Sequence, residues 1–384
     1  LTRPQPKIAI VHDWLYTYAG AERVLEQFLN IWPDADIYTL FDFLPDGKRF
    51  FLHGKSPSTT FIQRLPFAKT LHRQYLPFFP MAIEQLDLRG YDVVVSVHYC
   101  AANGVITGPD QYHLSYCCSP MRYAWDLQHQ YLRETGLDKG VKTALARLVL
   151  HYLRTWDTRA SNGVDEFLTL SKFVSRRIEK AYRRPSEIVW APVDVSRFEM
   201  GREKSDYYVT ASRMVPYKRI DLIVEAFTRM PDKKLVVIGE GPEFAKVKSL
   251  AGPNVQILGY QPYDALKHHL QAAKAFVFAA EEDFGIAPLE AQACGTPVLA
   301  FGRGGATETI VGFERRDPTG HFFEEQTVEG IIRCVGEFEE QSFRCSPEAC
   351  RSNAERFSPD LFRSRVASFF ETRYDVFRST TQRR

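Results

Sequence analysis

Glu282 and Glu290 stand eight positions apart in the run Glu281-Glu282-Asp283-Phe284-Gly285-Ile286-Ala287-Pro288-Leu289-Glu290, which continues as Ala291-Gln292-Ala293-Cys294-Gly295-Thr296-Pro297-Val298. A carboxylate accepts paired hydrogen bonds, so two of them at this spacing suit a ligand with hydroxyls on two separate parts. The turn between them, Phe284-Gly285-Ile286, lets backbone N–H groups face an anion where a helix begins. Upstream, Arg213 and Lys218 bracket the loop Met214-Val215-Pro216-Tyr217. Arg presents a planar fork and Lys a mobile point charge, a combination suited to a diphosphate. Gly239 opens the tight turn Gly239-Glu240-Gly241-Pro242. In the first half His98 closes an apolar run, and Ser119-Pro120-Met121-Arg122-Tyr123-Ala124-Trp125-Asp126 gathers Arg122, Tyr123, Trp125 and Asp126. Aromatic faces stack on sugars while Arg and Asp fix hydroxyls or phosphate; the same octet also reads as a packed, hydrogen-bonded loop.

These side chains need strands that end beneath them. Ala275-Phe276-Val277-Phe278-Ala279-Ala280 is apolar throughout and reads as a buried strand, as does Val298-Leu299-Ala300-Phe301. Between them the pattern predicts a short helix over 287–294, with Pro288 in its first turn and Gly295 past its end. Tyr207-Tyr208-Val209-Thr210-Ala211 feeds the Arg213 loop, Lys234-Leu235-Val236-Val237-Ile238 feeds Gly239, and Asp92-Val93-Val94-Val95-Ser96-Val97 feeds His98. Lys7-Ile8-Ala9-Ile10-Val11-His12 leads through a loop to Gly20 and a helix over 21–28, the strand–glycine–helix layout that cradles phosphate. It lacks Gly-x-Gly-x-x-Gly and so is not a dinucleotide fingerprint. Strands alternating with helices predict parallel sheets, whose ligands sit at the carboxyl ends of the strands.

The totals narrow the class. A length of 384 residues implies two domains. A net charge of +2 is too small to argue for nucleic acid. Seven cysteines without Cys-x-x-Cys indicate neither a disulfide framework nor structural zinc, and point to reduced thiols in the cytoplasm. No apolar leader precedes the first strand, and no apolar run approaches the ~20 residues of a spanning helix, so any membrane contact is peripheral. Asp34-Ala35-Asp36 spells a metal–diphosphate motif but precedes its strand; it reads as a turn, and no metal is expected. Residues 61–79 mix Arg64, Lys69, His72 and Arg73 with aromatics, which fits either an anionic interface or a core helix with a basic face. A helix over 138–159 carries Arg147, His151 and Arg154, either as a solvated face or beside an acceptor bearing phosphate.

The Glu282–Glu290 run, with Phe-Gly-Ile inside and Ala-Cys-Gly-Thr-Pro-Val after it, resembles the donor-site signature of retaining glycosyltransferases of family 4. Arg213-x4-Lys218 followed by Arg219-Ile220-Asp221 matches that family's diphosphate loop, and Ala19-Gly20-Ala21-Glu22 is similar to its Gly-Gly-x-x-Glu turn. The octet 119–126 resembles a loop in mannosyltransferases of bacterial O-antigen and exopolysaccharide assembly, with Cys118 where those have His. Leu170 stands where the family has Asn before Ser171. The resemblance implies an α/β GT-B architecture, two Rossmann-like domains facing across a cleft. Residues 1–196 would bind acceptor, 197–356 the nucleotide-sugar, and a helix in 357–384 would return to the first domain. It implies a metal-independent, retaining hexosyltransferase without cofactor, using GDP-mannose and a glycan or lipid-linked acceptor at the inner face of the cytoplasmic membrane. Glu282, Arg213, Lys218 and His98 would be catalytic. Gly20, Gly239, Phe284, Gly285, Ile286 and Glu290 would hold the donor, and Arg122, Tyr123, Trp125 and Asp126 the acceptor. A sugar-nucleotide epimerase of the same fold and a non-catalytic sugar-nucleotide-binding subunit are the alternatives.

Overall fold

The computed structural model describes residues 6–137, 139–201 and 203–381. It divides into two compact units. The first runs to Pro192 and takes back the segment from Asp360; the second is Val193–Pro359. The boundaries expected after 196 and 356 thus fall after Pro192 and Pro359. Within the second unit, Val193 N–H donates to the carbonyl of Phe357 at 2.8 Å, which ties its two ends together.

The first unit is built on seven parallel strands, β1 (Ile8–His12), β2 (Asp36–Thr39), β3 (Ser58–Thr59), β4 (Val93–His98), β5 (Tyr112–Cys117), β6 (Glu166–Thr169) and β7 (Glu187–Ile188). Their order is β3-β2-β1-β4-β5-β6-β7. Strands β1, β4 and β5 are buried along their whole length, because helices cover both faces of a parallel sheet. That is why they read as continuous apolar runs. The helix Pro359–Thr381 seats on this unit through aromatic edges: Phe362 meets Phe28 and Tyr116, and Phe370 meets Trp32 and Tyr112.

The second unit has six parallel strands, β8 (Tyr208–Ala211), β9 (Leu235–Ile238), β10 (Val255–Gly259), β11 (Ala275–Phe278), β12 (Val298–Phe301) and β13 (Gly320–Phe323), in the order β10-β9-β8-β11-β12-β13. Both sheets reverse their winding once, between β1 and β4 and between β8 and β11. In open parallel sheets the crevice for a ligand lies at that reversal, beyond the carboxyl ends of the two strands.

Residues 61–79 form no continuous helix. Pro66 and Pro77 interrupt the hydrogen-bond ladder, Phe67 takes a left-handed φ of 54°, and the segment breaks into the short turns Phe61–Arg64, Ala68–Leu71 and His72–Phe78. The single helix of the core-helix alternative is therefore absent, but its packing holds: Ile62 and Phe79 are buried in the core with Phe61, Leu65 and Tyr75 against them, while Arg64, Phe67, Lys69, Leu71, Arg73 and Phe78 are exposed. Asp34 lies in an exposed turn, while Asp36 opens β2 and accepts a hydrogen bond from the Tyr91 hydroxyl at 2.7 Å. The helix expected from 138 is Val141–Ala160; residue 138 itself lies outside the described residues.

Asp13, one residue past β1, is fully buried. Its carboxylate accepts the N–H groups of Tyr99, Cys100, Ala101 and Ala102 at 2.6–2.8 Å, clamping the chain that leaves β4. A buried donor left unsatisfied costs about 1–3 kcal/mol. Asp13→Ala strands four of them, so urea unfolding of the variant should show a loss of at least about 3 kcal/mol. An unchanged midpoint would contradict the clamp.

Candidate functional site

The reversal in the second unit brings two loops together. β8 pairs with β11 through Tyr208↔Ala275 and Val209↔Phe276, so the loops that follow them emerge side by side. The first passes Arg213 to the turn Pro216–Lys218, and the second carries Glu282. The Lys218 ammonium and the Glu282 carboxylate meet as an ion pair, both side chains largely shielded from water. Gln326 braces the two loops at their base. Its amide N–H donates to the carbonyl of Ala279 at 2.8 Å, and its carbonyl accepts from Arg219 at 3.2 Å. Arg213 is exposed.

The backbone of Glu282 rests on the glycine run after β12. Gly305 N–H donates to the Glu282 carbonyl at 2.8 Å. A Cβ on Gly305 would lie 2.4 Å from Phe284 Cα, and one on Gly304 2.4 Å from the Glu282 oxygen. These glycines thus admit the Glu282 loop.

Gly285, at φ 91°, starts the helix Ile286–Ala293. The helix is immobilised beneath: Gln292 and Asn353 both donate to the carbonyl of Thr309, and Arg351 donates to the carbonyl of Ala293. Phe284 packs edge-on against Phe357 and is buried, so the side chain serves the fold. Glu290, also buried, shares a cavity of about 370 Å³ with Arg213, Gly239, Glu240, Tyr260 and Gln261. The last three were not singled out in the sequence. The position of Tyr260 and Gln261 just past a strand on the ligand edge was the available signal.

In the first unit His98 ends β4, as expected, but its imidazole is fully buried. Burial pushes it down to about 3, and the same cause pushes His113 down to about 4, so both rings are neutral. His113 Nδ1 lies 3.2 Å from the carbonyl of Gly163, which can only accept. His113 Nε2 lies 2.8 Å from Ser96 Oγ. Ser96 Oγ donates to Ser115 Oγ at 2.9 Å. Ser115 Oγ lies 3.0 Å from His98 Nδ1. His98 Nε2 has no hydrogen-bond partner among the described residues.

Gly20 opens the helix Gly20–Ile31, and Glu22 folds back to accept the N–H of Ala19 at 2.9 Å. Ala19 is extended, with φ −139°, so the missing family glycine is accommodated without strain. The octet 119–126 runs from buried Ser119 to exposed Asp126. Trp125 Nε1 and the Tyr182 hydroxyl donate to Asp157 at 2.8 and 3.0 Å, the Tyr123 hydroxyl bonds Cys100 Sγ at 2.9 Å, and Asp126 pairs with Arg177 at 2.8 Å. Burial pushes the Asp157 carboxyl up to about 7 against the pull of these donors. Tyr123 and Trp125 thus make hydrogen bonds within the unit, while the Asp126 side chain, paired with Arg177, is 46% exposed. Arg122 is half-buried, and the N–H of Cys118 donates to the His98 carbonyl at 2.8 Å.

Residues 194–357 match the family described as glycosyl transferases group 1. The chain is 32% identical over 178 residues to a GDP-mannose-dependent monoacylated alpha-(1-6)-phosphatidylinositol monomannoside mannosyltransferase of Corynebacterium glutamicum, covering 38% of this chain and 47% of that protein. It is 28% identical over 220 residues to N-acetyl-alpha-D-glucosaminyl L-malate synthase of Bacillus anthracis, covering 53% and 55%. The chain thus spans about half the length of the curated relatives it matches. Among solved structures, Anabaena HepE in complex with UDP-glucose is 16% identical with a TM-score of 0.68, covering 96% of this chain and 100% of that one. Sucrose-phosphate synthase from Thermosynechococcus elongatus is 14% identical with a TM-score of 0.72, again covering 96% and 100%. These likenesses establish the fold: two Rossmann-like units of the GT-B type.

The burial of His98 is directly testable. In ¹⁵N-histidine-labelled protein, His98 should give a neutral ring from about pH 5 to about pH 8. A ring that titrates near pH 6.5 would contradict it.

Proposed function

We infer that this GT-B chain, whose second unit is a group 1 glycosyltransferase domain, moves a hexosyl group from a nucleotide-sugar to an acceptor hydroxyl. The observation that carries the reading is the Lys218–Glu282 pair beside the Glu290 cavity, at the reversal of the second sheet. The cavity takes the nucleoside, with Glu290 accepting from the ribose hydroxyls. Arg213, Lys218 and the backbone near Gly285 meet the diphosphate and neutralise the charge that develops as it leaves, which lets the reaction run without a metal. Glu282 then accepts from sugar hydroxyls. On the family resemblance, Gly20 and His98 of the first unit also serve the donor, and Arg122 serves the acceptor. Retention follows when the leaving phosphate takes the proton of the attacking hydroxyl on the face it departs from, and no carboxylate need become a covalent nucleophile.

We take the donor to be GDP-mannose. The resemblance of the 119–126 and Glu282–Glu290 segments to mannosyltransferases supports this, as does the relative from Corynebacterium glutamicum, a GDP-mannose-dependent mannosyltransferase. The acceptor class is a glycan on a membrane lipid. That same relative is described by a phosphatidylinositol mannoside, and exposed Arg64, Lys69 and Arg73 stand among exposed Phe67, Leu71 and Phe78. No described helix is long and apolar enough to cross a membrane.

A donor panel tests the reading. GDP-mannose and UDP-hexoses are supplied in excess chelator, with and without lipid-linked oligosaccharide. Transfer should occur from GDP-mannose alone, should require acceptor, and should retain the anomeric configuration. Isomerisation of donor without acceptor would identify an epimerase, and binding without turnover a non-catalytic subunit. Turnover only with a UDP-sugar would overturn the donor, and activity restored by magnesium or manganese would overturn the metal-free mechanism.

A further inference from the structure

The helix Val141–Ala160 carries an apolar stripe on its outer side. Val141, Leu145, Leu148 and Tyr152 are 90, 64, 64 and 45% exposed. Steps of four, three and four residues place them in one line along the helix. They are not a core face turned outward, because the core face is already occupied: Leu150, Leu153 and Trp156 are buried. Beside the stripe, Lys142, Arg147, His151 and Arg159 are exposed. The single acid of the helix, Asp157, is buried and bonded to Trp125 and Tyr182. The exposed surface of this helix therefore combines hydrocarbon and positive charge with no carboxylate.

The helix is fixed to the unit. Trp156 Nε1 donates to Glu84 at 2.7 Å, and a Cβ on Gly104 would lie within 2.2 Å of the Trp156 ring, so the two elements meet closely. Glu84 ends the helix Phe79–Glu84, whose Met81 is exposed.

We propose that the helix Val141–Ala160 lies in the plane of an anionic lipid leaflet, with its stripe among the upper acyl chains and Lys142, Arg147 and His151 at the phosphates. A lipid surface supplies both what the stripe and what the cations need. A second copy of the chain does not: pairing two such helices would set each row of cations against its like with no acid between them. The proposal names the docking element for the lipid-linked acceptor and rests on that reading, but its test does not depend on turnover.

Full-length protein is sedimented with vesicles of phosphatidylcholine, with and without roughly one-third phosphatidylglycerol. Binding should need the anionic lipid and weaken as salt rises. Leu145→Ser/Leu148→Ser and Lys142→Glu/Arg147→Glu should each lower the bound fraction about tenfold or more, since each lost cation weakens binding severalfold. Both pairs are exposed, so thermal unfolding should stay at the wild-type value, and Leu148→Trp should shift its emission to the blue on vesicles. Wild-type-like binding by both double variants would overturn the proposal. So would a wild-type dimer in sedimentation velocity that Leu145→Ser/Leu148→Ser dissociates. Lost vesicle binding with transfer to a water-soluble acceptor intact supports docking and leaves the transferase reading standing. Vesicle binding that depends on these residues, in a protein that turns over no donor, supports docking and removes that reading.

Discussion

The Lys218–Glu282 ion pair is the contact around which the second unit is arranged. Forming it in a shielded place brings little net stability, because the cost of removing two charges from water offsets their attraction. Its value is position. The pair holds a cation and a carboxylate side by side, oriented before any ligand arrives, which is what stabilising a leaving diphosphate requires. The rest of the unit serves that placement. Adjacent strands β8 and β11 bring the two loops out together, and Gln326 ties their bases through Ala279 and Arg219. Gly304 and Gly305 leave room for the Glu282 backbone. Asn353, through Gln292, and Arg351, through Ala293, fix the helix that carries Glu290.

The first unit solves a different problem, that of polar groups inside a sheet buried on both faces. Asp13 meets it with four backbone N–H groups. Ser96, His113, Ser115 and His98 meet it with a chain of polar contacts that runs from the carbonyl of Gly163 to His98, whose Nε2 has no partner among the described residues.

Much of this was legible in the chain because of how parallel sheets are built. Buried strands must be apolar for their whole length, and ligands must gather where strands end, so the placements of Arg213, Lys218, Glu282, Glu290 and His98 followed from local pattern. What the pattern could not carry was direction. Trp125 and Asp126 have the residue types of a sugar site, yet their partners, Asp157 and Arg177, lie far along the chain on other helices. Gly304 and Gly305 admit the Glu282 backbone, and a glycine does not reveal in the sequence what approaches it. The break-up of 61–79 was foreshadowed by Pro66 and Pro77, whose effect outweighed the amphipathic composition around them.

The most direct measurement compares nucleotide binding and turnover in Glu282→Ala. If Glu282 acts on the sugar while Lys218 and Arg213 hold the diphosphate, calorimetry should show GDP affinity near that of the wild type, while kcat falls by about 10²–10³, the loss expected when one placed transition-state contact is removed. Near-wild-type turnover, or loss of GDP binding in step with activity, would contradict the account.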